Sequence, residues 1–161
     1  MRYIKYFLAI LLVLVLWGCA EPSYTKEESA YIVLKTPTFK YADMGFIYEN
    51  GDMLKAEIYG SGQVLMTLKI TKESVCMSRL KCMSQSTFNH QVLSSEYPPD
   101  IIGQIFRGKP VFGGKNMLQK RNGFTQKLSK PDKYHIEYSV LNNQILFRDT
   151  INEILIKVIK Q

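Results

Sequence analysis

Apolar and polar residues alternate with a period of two along most of this chain, and that alternation predicts strands rather than helices. Leu54, Ala56 and Ile58 share one parity while Lys55, Glu57 and Tyr59 take the other. Val64, Met66, Leu68 and Ile70 then oppose Leu65, Thr67 and Lys69. Successive side chains of a strand point to opposite faces, so each run turns one apolar face to a core and one polar face to water. The turns agree. Glu49-Asn50-Gly51-Asp52 places Asn-Gly at the centre of a hairpin, and Gly60-Ser61-Gly62 makes a second tight turn. Upstream, Tyr31 to Leu34 is a β-rich run stopped by Thr36-Pro37, and Phe39 to Tyr48 reads as another strand. Val75 to Met77 adds a short one. Downstream, Tyr134, Ile136, Tyr138 and Val140 alternate with His135, Glu137 and Ser139. Asn142-Asn143 turns into Ile145-Leu146-Phe147, and Asp149 to Asn152 turns into Ile154, Ile156 and Val158.

Helical spacing occurs once. Ile101, Ile102, Ile105 and Phe106 form one apolar stripe. Pro98 and Pro99 suit a first turn, Asp100 suits the positive N-terminus, and Gly108 with Pro110 stops the helix. Val111 to Lys130 is basic, rich in glycine at its start, and follows neither period. The order of strands, one helix, strands predicts an α+β chain: a mainly antiparallel sheet folded round one principal helix. A composition of 46% hydrophobic and 22% charged residues fits a globular domain with a real core.

The front of the chain is different. Arg2 and Lys5 precede an unbroken apolar run from Phe7 to Trp17. That run is long enough for a signal-peptide core but short of the roughly 20 residues that span a bilayer. Leu16-Trp17-Gly18-Cys19 closes it and resembles the lipobox of bacterial lipoproteins, a small residue directly before a cysteine. The resemblance implies a signal peptide over 1–18, lipid on Cys19, a tether over 19–30 and a single domain over 31–161. An uncleaved anchor or a plain secretory signal is the competing reading. Each buried CH₂ contributes about 0.8 kcal/mol, so two or more chains on Cys19 would hold the protein stably on a membrane. Ala20 carries no carboxylate, and by the same resemblance this predicts the periplasmic face of the outer membrane.

Export makes sense of the cysteines. With Cys19 taken as the lipid site, Cys76 and Cys82 remain, and an even remainder in an exported chain predicts a disulfide. Neither His nor a further Cys lies at ligand spacing, so no metal is expected. The spacing is not that of a Cys-x-x-Cys redox pair either.

Formal charge is +7, and the excess is local. The stretch 109–133 holds six Lys and Arg121 against the single acid Asp132. Such a segment suits anionic lipid or an acidic partner, or it is simply a solvated loop face. Nucleic acid is not expected on a periplasmic surface. Catalysis has little to stand on. His90 and His135 are the acid–base candidates, but neither has a Ser, Cys or Asp at a recognisable spacing, and Gly113-Gly114 lacks the spaced glycines and lysine of a phosphate loop. No enzyme activity and no cofactor are expected.

The layout as a whole resembles the LolA/LolB family of lipoprotein carriers. The likeness spans roughly 52–160 and is best around Tyr59-Gly-Ser-Gly-Gln63, Ile101-Ile-Gly-Gln-Ile-Phe-Arg-Gly-Lys-Pro110 and the C-terminal strands Tyr134–Tyr138 and Ile154–Val158. The resemblance implies an open β half-barrel whose helices close a hydrophobic cavity. Apart from the resemblance, one short helix leaves part of an apolar sheet face uncovered, and Leu54, Ile58, Met66, Leu68, Ile102, Phe106, Tyr138 and Ile156 are the candidate lining, or else simply packed core. The resemblance also implies a lipoprotein that accepts or holds an apolar ligand such as the acyl chains of other lipoproteins. One position departs from the family. The receptor's apolar loop tip is here Ser61, and Leu65 lies too far along the strand to replace it. The competing expectation is a structural or assembly lipoprotein with a solid core, docking another envelope protein by its outer surface.

Overall fold

A computed structural model of the protein describes residues 24–78 and 81–161. The signal segment, Cys19 and the first tether residues fall outside that range. Eleven strands form one antiparallel sheet. The first six are β1 (Lys26–Lys35), β2 (Lys40–Asn50), β3 (Met53–Gly60), β4 (Gln63–Ile70), β5 (Ser74–Met77) and β6 (Lys81–Ser84). Two helices follow, α1 (Gln85–Val92) and α2 (Ile101–Arg107). The chain then makes β7 (Met117–Lys120), β8 (Gly123–Lys130), β9 (Tyr134–Leu141), β10 (Gln144–Asp149) and β11 (Ile154–Lys160).

The spatial order is β6-β5-β4-β3-β2-β1-β11-β10-β9-β8-β7. Each half is a meander built from short hairpins, and the β1–β11 ladder joins the halves. The helices carry the chain from one edge strand to the other. Their apolar residues Phe88, Ile101, Ile102, Ile105 and Phe106 join the inward residues of the strands in one core. An open antiparallel sheet with helices on its apolar face is therefore the architecture.

Local chemistry explains the turns. Ser61 and Gly62 both take positive φ, at 52° and 77°, in the two-residue connection between Gly60 and Gln63. That is the backbone of a primed turn, whose twist matches the flanking strands. Gly51 at φ 53° does the same service after Asn50. In mid-strand, Gly45 is needed for space: a Cβ there would lie 2.0 Å from the Glu57 carbonyl oxygen of β3. Glycine at such a point lets one backbone press against another.

Three expectations need amendment. The chain has a second helix, α1, beside the principal one. Its sequence shows no apolar stripe, because its buried residues are the adjacent Phe88 and Asn89; what starts it is Ser84, whose hydroxyl accepts from the Thr87 N–H at 3.1 Å. The strand β1 begins at Lys26 and takes in five residues assigned to the tether. Charge hides it: Lys26 and Glu28 pair at 3.1 Å, and Glu28 also meets Lys160 of β11 at 2.6 Å. The unassigned stretch 111–130 forms a single 3₁₀ turn over Phe112–Gly114 and the hairpin β7–β8.

Candidate functional site

The eight candidate lining residues come from five elements and meet in one apolar interior. Leu54 and Ile58 project from β3, Met66 and Leu68 from β4, Ile102 and Phe106 from α2, Tyr138 from β9 and Ile156 from β11. Ile58 sits directly opposite Met66, and Phe147 of β10 bridges Tyr138 to Ile156 by pairing with both. Cross-strand partners share a face, so the pairing alone places them together. None of the eight is more than 1% exposed. Sequence reasoning missed Phe88, Tyr97 and Phe124, which share the same interior. Phe88 and Tyr97 lie in stretches with no period to flag them.

Aromatic rings fill the half of the interior nearest β8–β10. Tyr97, on the link between the helices, stacks edge-on against Phe112 and Phe147 at 6.1 and 5.9 Å between centroids. Tyr138 does the same with Phe124 at 5.6 Å. Their hydroxyls are both satisfied. Tyr138 donates to the Lys109 carbonyl at 2.9 Å, and burial pushes its acidity well below that of free phenol. Tyr97 donates to Asp149, and burial followed by that neighbouring carboxylate raises its pKa still further.

Asp149 is the polar centre of this end. Although only 1% exposed, its carboxylate also accepts from the backbone N–H groups of His135 and Ile151 at 3.0 Å each, and from the Asn152 side chain at 2.7 Å. A buried carboxylate is tolerated only with partners of this kind. Gln126 is a second buried anchor: its amide accepts from the Val111 N–H and donates to the carbonyls of Val111 and Lys115.

One flank of α2 borders a polar cleft of about 300 Å³, lined by Asp52, Thr71, Lys72, Gln85, Gln104 and Arg107 among others. Arg107 bonds the Asp52 carbonyl at 2.9 Å and lies 4.0 Å from Glu49, tying the helix to the β2–β3 turn.

Ser61 sits at the tip of the β3–β4 hairpin, and no apolar side chain replaces it there. Val64 and Leu65, at the root of β4, are nonetheless 47% and 54% exposed. The Leu65 side chain lies over Gly60, where an added Cβ would meet its Cδ1 at 2.4 Å.

Cys76 and Cys82 are joined by a disulfide, directly opposite each other on β5 and β6. His135 is exposed, and its Nδ1 lies 2.8 Å from Ser129 Oγ across the β8–β9 ladder. The Asp149 carboxylate bonds its backbone N–H rather than the ring. His90 is exposed on α1.

The basic stretch splits in two. Lys130 and Lys133 both hold Glu96, at 2.6 and 3.4 Å, and they keep its carboxyl below the usual range. Lys127 pairs with Glu137. Among the described residues, Lys109, Lys115, Lys120 and Arg121 make no ion pair. No described helix is long and apolar enough to cross a membrane, and no described cluster of His, Cys, Asp and Glu is suited to hold a metal. Comparison with protein-family models finds no match, and comparison with curated proteins finds none either.

Proposed function

We propose that this protein is a lipid-anchored carrier of the LolB kind, held by Cys19 on the periplasmic face of the outer membrane, whose interior between sheet and helices accepts an acyl chain. The observation that carries this reading is the imbalance between sheet and cover. Nine of the eleven strands, all but the edge strands β6 and β7, bury side chains on one apolar face, and two helices of eight and seven residues cover it. Buried apolar surface of this kind, covered by two short helices, suits a chain of methylenes.

Curvature supports the reading. A Cβ on Gly103 would lie 3.5 Å from Ile70 of β4, and one on Gly108 would lie 3.4 Å from Ile145 of β10. In a flat sheet those strands are five spacings apart, roughly 24 Å. Between the two glycines the helix advances only about 7.5 Å. A sheet curled into a half-barrel around α2 accounts for both contacts.

The lining residues are sealed, so the acyl chain enters by displacing the helices. Polar ties at Arg107 and Tyr97 hold them shut. Titration of the full-length protein with a fluorescent fatty acid tests the idea. Saturable binding, competed by lipoprotein acyl chains, is the expected result; its absence sinks the carrier.

The sealed interior favours a second reading, a docking lipoprotein with a solid core. In-cell crosslinking separates them: a carrier captures many lipoproteins, a docking protein one fixed partner.

A further inference from the structure

We propose that β7 is a strand-addition site for an extended acidic segment of another polypeptide. This strand is the last of the sheet, with β8 on one side and no described strand on the other. All four of its residues are exposed, and two are large and apolar: Met117 at 40% and Leu118 at 61%. Opposite residues share a face, so Met117 stands on the side of buried Gln126 and Leu118 on the side of Thr125. The edge thus offers an apolar side chain on each face together with a free row of backbone donors and acceptors. That combination is what an added strand uses.

Charge selects the occupant. Lys115, Lys120 and Arg121 bracket β7 without an acidic partner among the described residues. A second copy of the chain would bring the same cations against them, which opposes self-pairing. An acidic segment would be drawn in and held in register. The edge is also braced in advance: Gln126 grips the backbone at Val111 and Lys115, and Asn116 donates to the Lys127 carbonyl at 3.2 Å. Bracing of this kind lowers the ordering cost of binding.

The opposite edge strand, β6, carries no large exposed apolar side chain. It is stapled to β5 by the Cys76–Cys82 disulfide and runs straight into α1. Lysine on an edge strand ordinarily guards against aggregation. A guarded edge has no use for Met117 and Leu118 in the open, however.

The test uses full-length protein and a fluorescein-labelled peptide of alternating valine and glutamate. Fluorescence anisotropy should show saturable binding, and amide exchange should slow over Met117–Lys120. Lys120→Glu combined with Arg121→Glu, both at exposed positions, should weaken binding at least about tenfold and favour the valine–lysine analogue instead. The proposal is overturned by absent binding, by equal binding of both peptides to the natural chain, by protection elsewhere, or by dimerisation through β7 in sedimentation. Fatty-acid binding measured in the same sample is independent of this edge, so failure here and failure of the carrier reading are told apart.

Discussion

The hydroxyl of Tyr97, on the link between the helices, donates to the carboxylate of Asp149 at the far end of β10, 52 residues away in sequence. This buried contact fastens the cover to the sheet. Tyr97→Phe removes the donor but leaves Asp149 its backbone and Asn152 partners. The loss should be about 1–2 kcal/mol in urea unfolding. Asp149→Ala orphans several buried donors together and should cost clearly more. Equal losses from the two variants would refute the central role given to the carboxylate.

Gly108 ends α2 at φ 64°, with its N–H on the Ile105 carbonyl and the next N–H on Gln104. Gly108→Ala forces a side chain into left-handed backbone, 3.3 Å from Val140. We expect a loss of about 1–2 kcal/mol by thermal or chemical unfolding. A neutral result would show that the helix end relaxes.

The Cys76–Cys82 bridge closes a short loop, and chain entropy assigns it about 2–2.5 kcal/mol. Reduction should lower stability by that order, and thiol reagents should label neither cysteine until it is done. Ready labelling of untreated protein would count against the bridge.

Glu28 reports on the seam between β1 and β11. Burial raises its pKa, but hydrogen bonds from Lys160 and Lys26 outweigh burial and hold it below 4.5. A lowered carboxyl adds stability above its unfolded value, and that stability is lost as pH falls through the folded value. Lys160→Met should therefore move the Glu28 midpoint upward in an NMR titration. An unmoved midpoint would exclude Lys160 as a cause.

Cys19→Ala should release the protein from the membrane fraction while leaving the sheet able to fold. Retention of that variant would dispose of the lipid anchor.

Much of the sheet was legible because period two needs no partner to be seen. Leu54-Ala56-Ile58 and Met66-Leu68-Ile70 announce their inward faces, and glycines announce the hairpins, although the first turn centres on Gly51-Asp52, one residue later than the expected Asn50-Gly51. The helix α2 carried its own stripe and stop. Other elements rest on relations that no local pattern contains. The charged start of β1 is stable because of Glu49 and Lys160, and α1 because of a cap and one phenylalanine. β7 is wholly exposed and so has no apolar parity to read. Within the candidate site the lining residues were legible as inward positions. The aromatic cluster around Tyr97 was not, since it joins segments from 97 to 147.

The ladder between β1 and β11 has a temporal side. Its partners include Ala30 with Lys160 and Leu34 with Ile156. Neither meander can seal against the other until synthesis has delivered both, and contacts of such long range are slow to find. A nascent chain would therefore stay unlatched until its last strand emerged.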